Sequence, residues 1–134
     1  LDALAWAERI GGLDALIARS EAKLDVLERS GARTPWVDFL ARDPAARSCT
    51  SVCLSIVDDW FRGLGEADRA AVAKQMVARL EADGIAYDIG AYRDAPPGLR
   101  IWCGATVEAA DLEALTPWLD WAYGEVRATF RPAA

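Results

Sequence analysis

The chain has 134 residues, of which 53% are apolar, with six tryptophans and a formal net charge of −6. That length suits one domain and hides roughly two thirds of the unfolded surface, so a disordered chain is excluded. The acidic balance scatters arginines among acids, which excludes a nucleic-acid or anionic-membrane footprint, and no apolar run approaches the roughly 20 residues of a membrane span.

Leu1, Leu4 and Ala5 already have helical spacing, and Leu1 is not an initiator methionine. The chain is therefore expected to be an excised piece that begins inside an element, with any targeting segment out of view. The pattern predicts a helix from Asp2 to Ile10, an interruption at Gly11-Gly12, and a long helix to Gly31 carried by Leu13, Leu16, Ile17, Ser20, Leu24 and Leu27. Val37 to Leu40 is a short apolar run after Thr34-Pro35, and Asp43-Pro44 makes the next turn. Thr50, Val52, Leu54 and Ile56 alternate with Cys49, Ser51, Cys53 and Ser55, which predicts a strand with one packed face.

Asp58 to Gly65 reads as a loop containing Trp60 and Phe61. Glu66 to Asp83 reads as a helix with Ala73, Met76, Val77 and Leu80 on its apolar side, stopped by Gly84. Ile85, Tyr87 and Ile89 alternate as a further strand, and Leu99 to Cys103 as another. Glu108 to about Thr129 is helical, with Leu112, Leu115, Leu119, Ala122 and Val126 on one stripe and Pro117 placed to kink or restart it.

This order predicts a layered α/β (α+β) domain over residues 1–134, with helices on one face of a small, mainly antiparallel sheet. Pattern alone equally permits a ferredoxin-like regulatory domain. Cys49, Cys53 and Cys103 form no paired framework, which fits a reducing cytosol and a cytoplasmic location, and they read as small apolar fillers. The chain has no histidine, so no Cys/His metal centre, Ser-His-Asp triad or Cys-His pair can form from it.

The chemistry concentrates between Tyr87 and Ala105, where Arg93 and Arg100 flank Pro96-Pro97-Gly98. The prolines restrict φ, Gly98 is expected to supply a positive φ, and alternation puts Arg100 and Trp102 on one face with Leu99, Ile101 and Cys103 on the other. Two fixed guanidiniums facing one cleft would read two anionic groups on a small molecule. The alternative is that arginines beside Asp88 and Asp94 are solvated or locally paired.

Tyr92-Arg93, then Pro-Pro-Gly-Leu-Arg100-Ile-Trp-Cys-Gly running into Thr106 to Leu115, resembles the end of phosphoserine aminotransferases, the pyridoxal-phosphate enzymes of serine synthesis. Leu4 to Ala7, Ile10 to Arg19, Thr34 to Leu40 and Arg47 to Leu54 resemble that family in the same order. The resemblance covers nearly the whole chain but only the C-terminal third of such an enzyme. It implies the small C-terminal domain of a fold-type-I aminotransferase. Arg100 would hold the substrate α-carboxylate as a bidentate pair, and Arg93 the far anion, either phosphoserine phosphate or the glutamate side-chain carboxylate. Tyr92 stands where many members have histidine and could offer its hydroxyl to a phosphate oxygen. The two arginines are one residue further apart than in the best-known branch. Trp102 could wall the pocket, or be bulk like Trp118 and Trp121. Arg47 and Ser48 match the family without an assignable chemical role.

Pyridoxal phosphate needs a Schiff-base lysine and an acid for its pyridinium nitrogen. Lys23 and Lys74 are the only lysines, and both read as solvated positions on amphipathic helices. The resemblance puts the Schiff-base lysine upstream, in a large domain, so this piece holds no catalytic or cofactor-binding residue of its own and is expected to be inert alone. The intact enzyme would be a homodimer moving an amino group from glutamate to 3-phosphohydroxypyruvate, with a phosphorylated hydroxy amino acid of vitamin B6 synthesis as a possible second substrate. Another fold-type-I aminotransferase, a regulatory domain sensing a small molecule, and an interaction module anchored by Trp60, Trp118 and Trp121 are the alternatives.

Overall fold

The computed structural model describes residues 2–132; the helical reading at Leu1 lies outside them. Helix α1 (Asp2–Arg9) and helix α2 (Gly12–Gly31) are separated by Ile10 and Gly11, and the φ angles of Gly11 and Gly12, 114° and 71°, suit residues without a Cβ. There the expected interruption is a sharp break between two helices. Strand β1 (Val37–Phe39), a 3₁₀ turn (Pro44–Ala46) and strand β2 (Ser51–Ile56) follow. Next come the helical turn α3 (Asp59–Arg62), helix α4 (Glu66–Ala82), strand β3 (Gly98–Trp102) and helix α5 (Ala109–Thr129).

The sheet is antiparallel in the order β1-β2-β3. Its packed face carries Phe39, Val52, Leu54, Ile56, Leu99 and Ile101, all buried. Helices α2, α4 and α5 cover it through Val26, Leu27, Val72, Met76, Leu80, Leu112, Leu119 and Val126. Val72, Met76 and Leu80, spaced four residues apart on one helical face, are 0% exposed, and each contributes about 1.5 to 3 kcal/mol by leaving water. On the open face, register sets Ser51 opposite Trp102, Cys53 opposite Arg100 and Ser55 opposite Asp38. The layered α/β class and the one-sided helix packing are thus as expected.

Three local expectations are corrected and that for Pro117, a kink or a restart, is narrowed. Residues 85–89 form no strand: Asp88 has φ 53°, which breaks extended geometry, and pairing outside the named strands reduces to a bridge between Gly90 and Leu99. The sheet therefore has three strands among the described residues, not four. The 58–65 loop contains α3, because the Asp58 carboxylate caps Trp60 N–H at 2.9 Å. Pro117 does not restart α5. It cannot donate to the Glu113 carbonyl four residues back, and the Thr116 hydroxyl does so instead at 3.2 Å. Lys23 is not solvated: it is 1% exposed, and its Nζ donates to the Arg19 carbonyl at 2.5 Å.

Candidate functional site

Arg100 sits in the middle of β3 and projects from the open face, where alternation puts it. Its position is fixed from several sides. The backbone N–H donates to the Ile89 carbonyl at 2.8 Å, and Nη2 donates to both the Asp88 carbonyl and the Asp88 carboxylate at 2.9 Å. The guanidinium lies over the Tyr92 ring, 4.9 Å from its centroid, and the Tyr92 hydroxyl meets the Ser51 hydroxyl at 3.1 Å. The Arg100 side chain is only 17% exposed. The Asp88 hydrogen bond holds its proton affinity above the usual value, against the opposing effect of burial. Nε is buried with no hydrogen-bond partner, so the fork keeps unused donor capacity in a confined setting.

Gly98 contributes differently from the turn chemistry expected of it. Positive φ in this region belongs to Asp88, not to Gly98. What Gly98 supplies is close approach, since a Cβ there would stand 2.2 Å from the Leu54 carbonyl oxygen. The Pro-Pro-Gly segment thus lets β3 pair with β2 in the register that presents Arg100.

Arg93 is exposed and lines a groove of about 320 Å³ between α4 and the loop leading to β3. Lys74, Ala70, Ala73, Val77, Ala91 and Tyr92 share that lining, and Arg100 does not. Arg93 thus lines this groove and Arg100 does not, while Tyr92 meets both: its ring lies under Arg100 and it shares the groove lining. No hydrogen bond, ion pair or ring contact among the described residues engages Arg93 or Lys74. The exposed position expected for Lys74 is what the structure has.

Trp102 is 53% exposed on the Arg100 face, and Trp118 and Trp121 form an edge-to-face pair that is also largely exposed. Arg47 now has a structural role. It bonds Glu28 at 2.7 Å and the Ala41 carbonyl at 3.3 Å and stacks on Phe39, tying α2 to the edge of β1. Ser48 accepts from the N–H groups of Thr50 and Ser51 and shapes the entry to β2.

Local pairing with Asp88, the alternative open for these arginines, is what Arg100 shows, while sequence reasoning missed Ser51 as a partner of Tyr92 and Lys74 as a neighbour in the Arg93 groove. Lys74 looked like any polar position on an amphipathic helix.

No family profile matches the chain. Two curated proteins, the phosphoserine aminotransferases of Methanosarcina mazei and Methanosarcina barkeri, are each 46% identical to it over 127 residues, which is 95% of this chain. The chain spans 32% of the length of these relatives. The solved phosphoserine aminotransferase of Bacillus circulans subsp. alkalophilus superposes with a TM-score of 0.70 over 90% of this chain and 30% of its own, at 17% identity. That likeness bears on fold and agrees with a fold-type-I aminotransferase small domain. The resemblance read from the motifs is thus borne out across almost the whole chain.

Proposed function

We propose that this chain is the C-terminal, substrate-binding domain of a phosphoserine aminotransferase, working with a larger domain of the same polypeptide. The observation that carries this reading is the 46% identity to two such enzymes over 95% of the chain, a span that includes the Arg100 strand. Arg100 would take the α-carboxylate of the amino-acid substrate. Its fixed, half-enclosed guanidinium supports that role, because a planar fork held by Asp88 and Tyr92 loses little freedom when it pairs with a second carboxylate. Arg93 would take the far anion, and Tyr92 would brace Arg100 from the side. The substrates would be glutamate and 3-phosphohydroxypyruvate, giving phosphoserine and 2-oxoglutarate, in a cytoplasmic homodimer.

Pyridoxal phosphate would supply the electron sink for this reaction. The lysines described here do not fit it: Lys23 is buried on the Arg19 carbonyl, and Lys74 lies in the groove across Tyr92 from Arg100. The cofactor would be held by residues outside this chain, and the work of this chain would be to bind, orient and shield the substrate. The test uses the natural-length protein in its pyridoxal form, mixed separately with phosphoserine, glutamate and alanine while the cofactor absorbance is followed. Fast conversion with the first two and not with alanine is expected. Conversion with alanine alone would replace the substrate, and absence of cofactor absorbance would overturn the reading.

A further inference from the structure

The donors of the Arg100 guanidinium are unevenly used. Nη2 carries two hydrogens and meets two acceptors, the Asp88 carbonyl and the Asp88 carboxylate, each at 2.9 Å. Nε is buried away from water. A carboxylate arriving from solvent therefore finds Nη1, and the two parallel bonds of a bidentate pair need a second nitrogen. Charge sets the same condition. One guanidinium carries one positive charge, and a second carboxylate beside that of Asp88 would meet a like charge.

Asp88 is held by its backbone and loose at its carboxylate. Its φ of 53° is the only positive value outside glycine among the described residues, a conformation that persists where the surroundings fix it. The fixing contacts follow directly in sequence: the Ile89 carbonyl accepts from the Arg100 N–H at 2.8 Å, and Gly90 bridges to Leu99. The Asp88 side chain, by contrast, is 89% exposed against 17% for that of Arg100, so its carboxylate can turn into water at small cost.

We propose that the Asp88 carboxylate is an internal competitor for Arg100, displaced from Nη2 by the α-carboxylate of the incoming substrate. This rests on the role proposed above for Arg100. The Asp88 carbonyl keeps its bond to Nη2 and the Tyr92 ring stays beneath the guanidinium, so the fork remains in place while one of its arms is released. Asp88 thereby sets how tightly the site takes a carboxylate, by the same factor for every substrate that carries one at its α-carbon.

Loss of a competitor tightens binding, whereas loss of a brace weakens it. The test is the half-reaction dissociation constant of the natural-length protein in its pyridoxal form, measured separately with glutamate and phosphoserine. Asp88→Gly suits the positive φ and deletes the carboxylate. It should bind both substrates about two- to fivefold more tightly and by the same factor, the range of an exposed ion pair. Asp88→Asn tolerates the same backbone without the charge and should fall between that variant and wild type. Asp94→Asn, which removes an exposed charge nearby, should leave both constants unchanged. Unchanged or weaker binding by Asp88→Gly, tightening for one substrate only, or equal tightening by Asp94→Asn would overturn the proposal; with Arg100→Lys still weakened, the role of Arg100 would stand. Wild-type binding by Arg100→Lys would overturn both.

Discussion

Arg100 and Arg93 are seven residues apart, and the fold treats them in opposite ways. Arg100 is on a strand, bonded twice to Asp88, stacked on Tyr92 and mostly shielded from water. Arg93 is on a loop, exposed and without a partner. The first is organised without a ligand; the second is free to adapt. On the function proposed above, Arg100 would set where a ligand sits and Arg93 which charge its far end must carry.

The largest expected effect comes from removing the register that presents Arg100. Gly98→Ala puts a Cβ at 2.2 Å from the Leu54 carbonyl oxygen, a backbone atom that cannot swing aside. A loss of about 3 kcal/mol is expected from such overpacking, read as a fall in the urea midpoint, with Arg100 displaced and the Arg93 groove deformed at its Gly98 edge. An unchanged midpoint would show that β3 does not depend on this close approach.

Alkaline pH separates the two regions next. Cys103 follows Arg100 on the packed side of the chain and is 0% exposed, and burial pushes its thiol up from 9.0 to about 11. Between these values the folded state binds the proton that the unfolded state has lost, so stability falls as pH rises from 9 to 11 by about 2 to 3 kcal/mol. Cys103→Ala should remove that slope. Lys23 acts in the other sense: burial lowers its pKa from 10.5, so the unfolded state binds more protons and its penalty is relieved as pH rises toward 10.5. Urea titrations of wild type and Cys103→Ala from pH 8 to 11 isolate the thiol contribution, because Lys23 is common to both.

Substitution of the arginines by lysine sharpens the comparison directly. Arg100→Lys keeps the charge and loses the fork, and should weaken amino-acid capture by about 1 to 3 kcal/mol. Arg93→Lys should cost less than this, because no partner fixes the geometry of the guanidinium it replaces. Equal losses in the two variants, measured as half-reaction dissociation constants in the natural-length protein, would remove the distinction.

Alternation alone was enough to place Arg100 and Trp102 together on the open face and Leu99, Ile101 and Cys103 in the core, because strand geometry is local. The long helices were equally legible. The segment from Ile85 to Ile89 was not, since its alternating residues also suit a loop once Asp88 takes a positive φ to reach Arg100. Lys23 shows the same limit: its helical position looked polar, and only the tertiary packing that brings Cys49, Cys103 and Glu108 close to it buries it. The groove that Arg93 lines depends on where α4 lies relative to the loop, which no sequence period encodes.

The smallest effect concerns the residue that both regions share. Tyr92→Phe keeps the ring beneath Arg100 and the wall of the groove, and removes only the hydroxyl that meets Ser51 at 3.1 Å. Tyr92 is 56% exposed, so water replaces that hydrogen bond and stability should change by less than about 0.5 kcal/mol. Phosphoserine and glutamate affinities should stay near wild type if Tyr92 acts as a stacked brace. A selective loss of phosphoserine affinity would mean that the hydroxyl turns from Ser51 to the phosphate, which would make Tyr92 a donor to the far anion and not a brace for Arg100. The pair Tyr92→Phe and Ser51→Ala decides between these. A brace predicts the same small effect in both, because either change breaks the same bond; a donor predicts that Ser51→Ala frees the hydroxyl and tightens phosphoserine binding, while Tyr92→Phe weakens it.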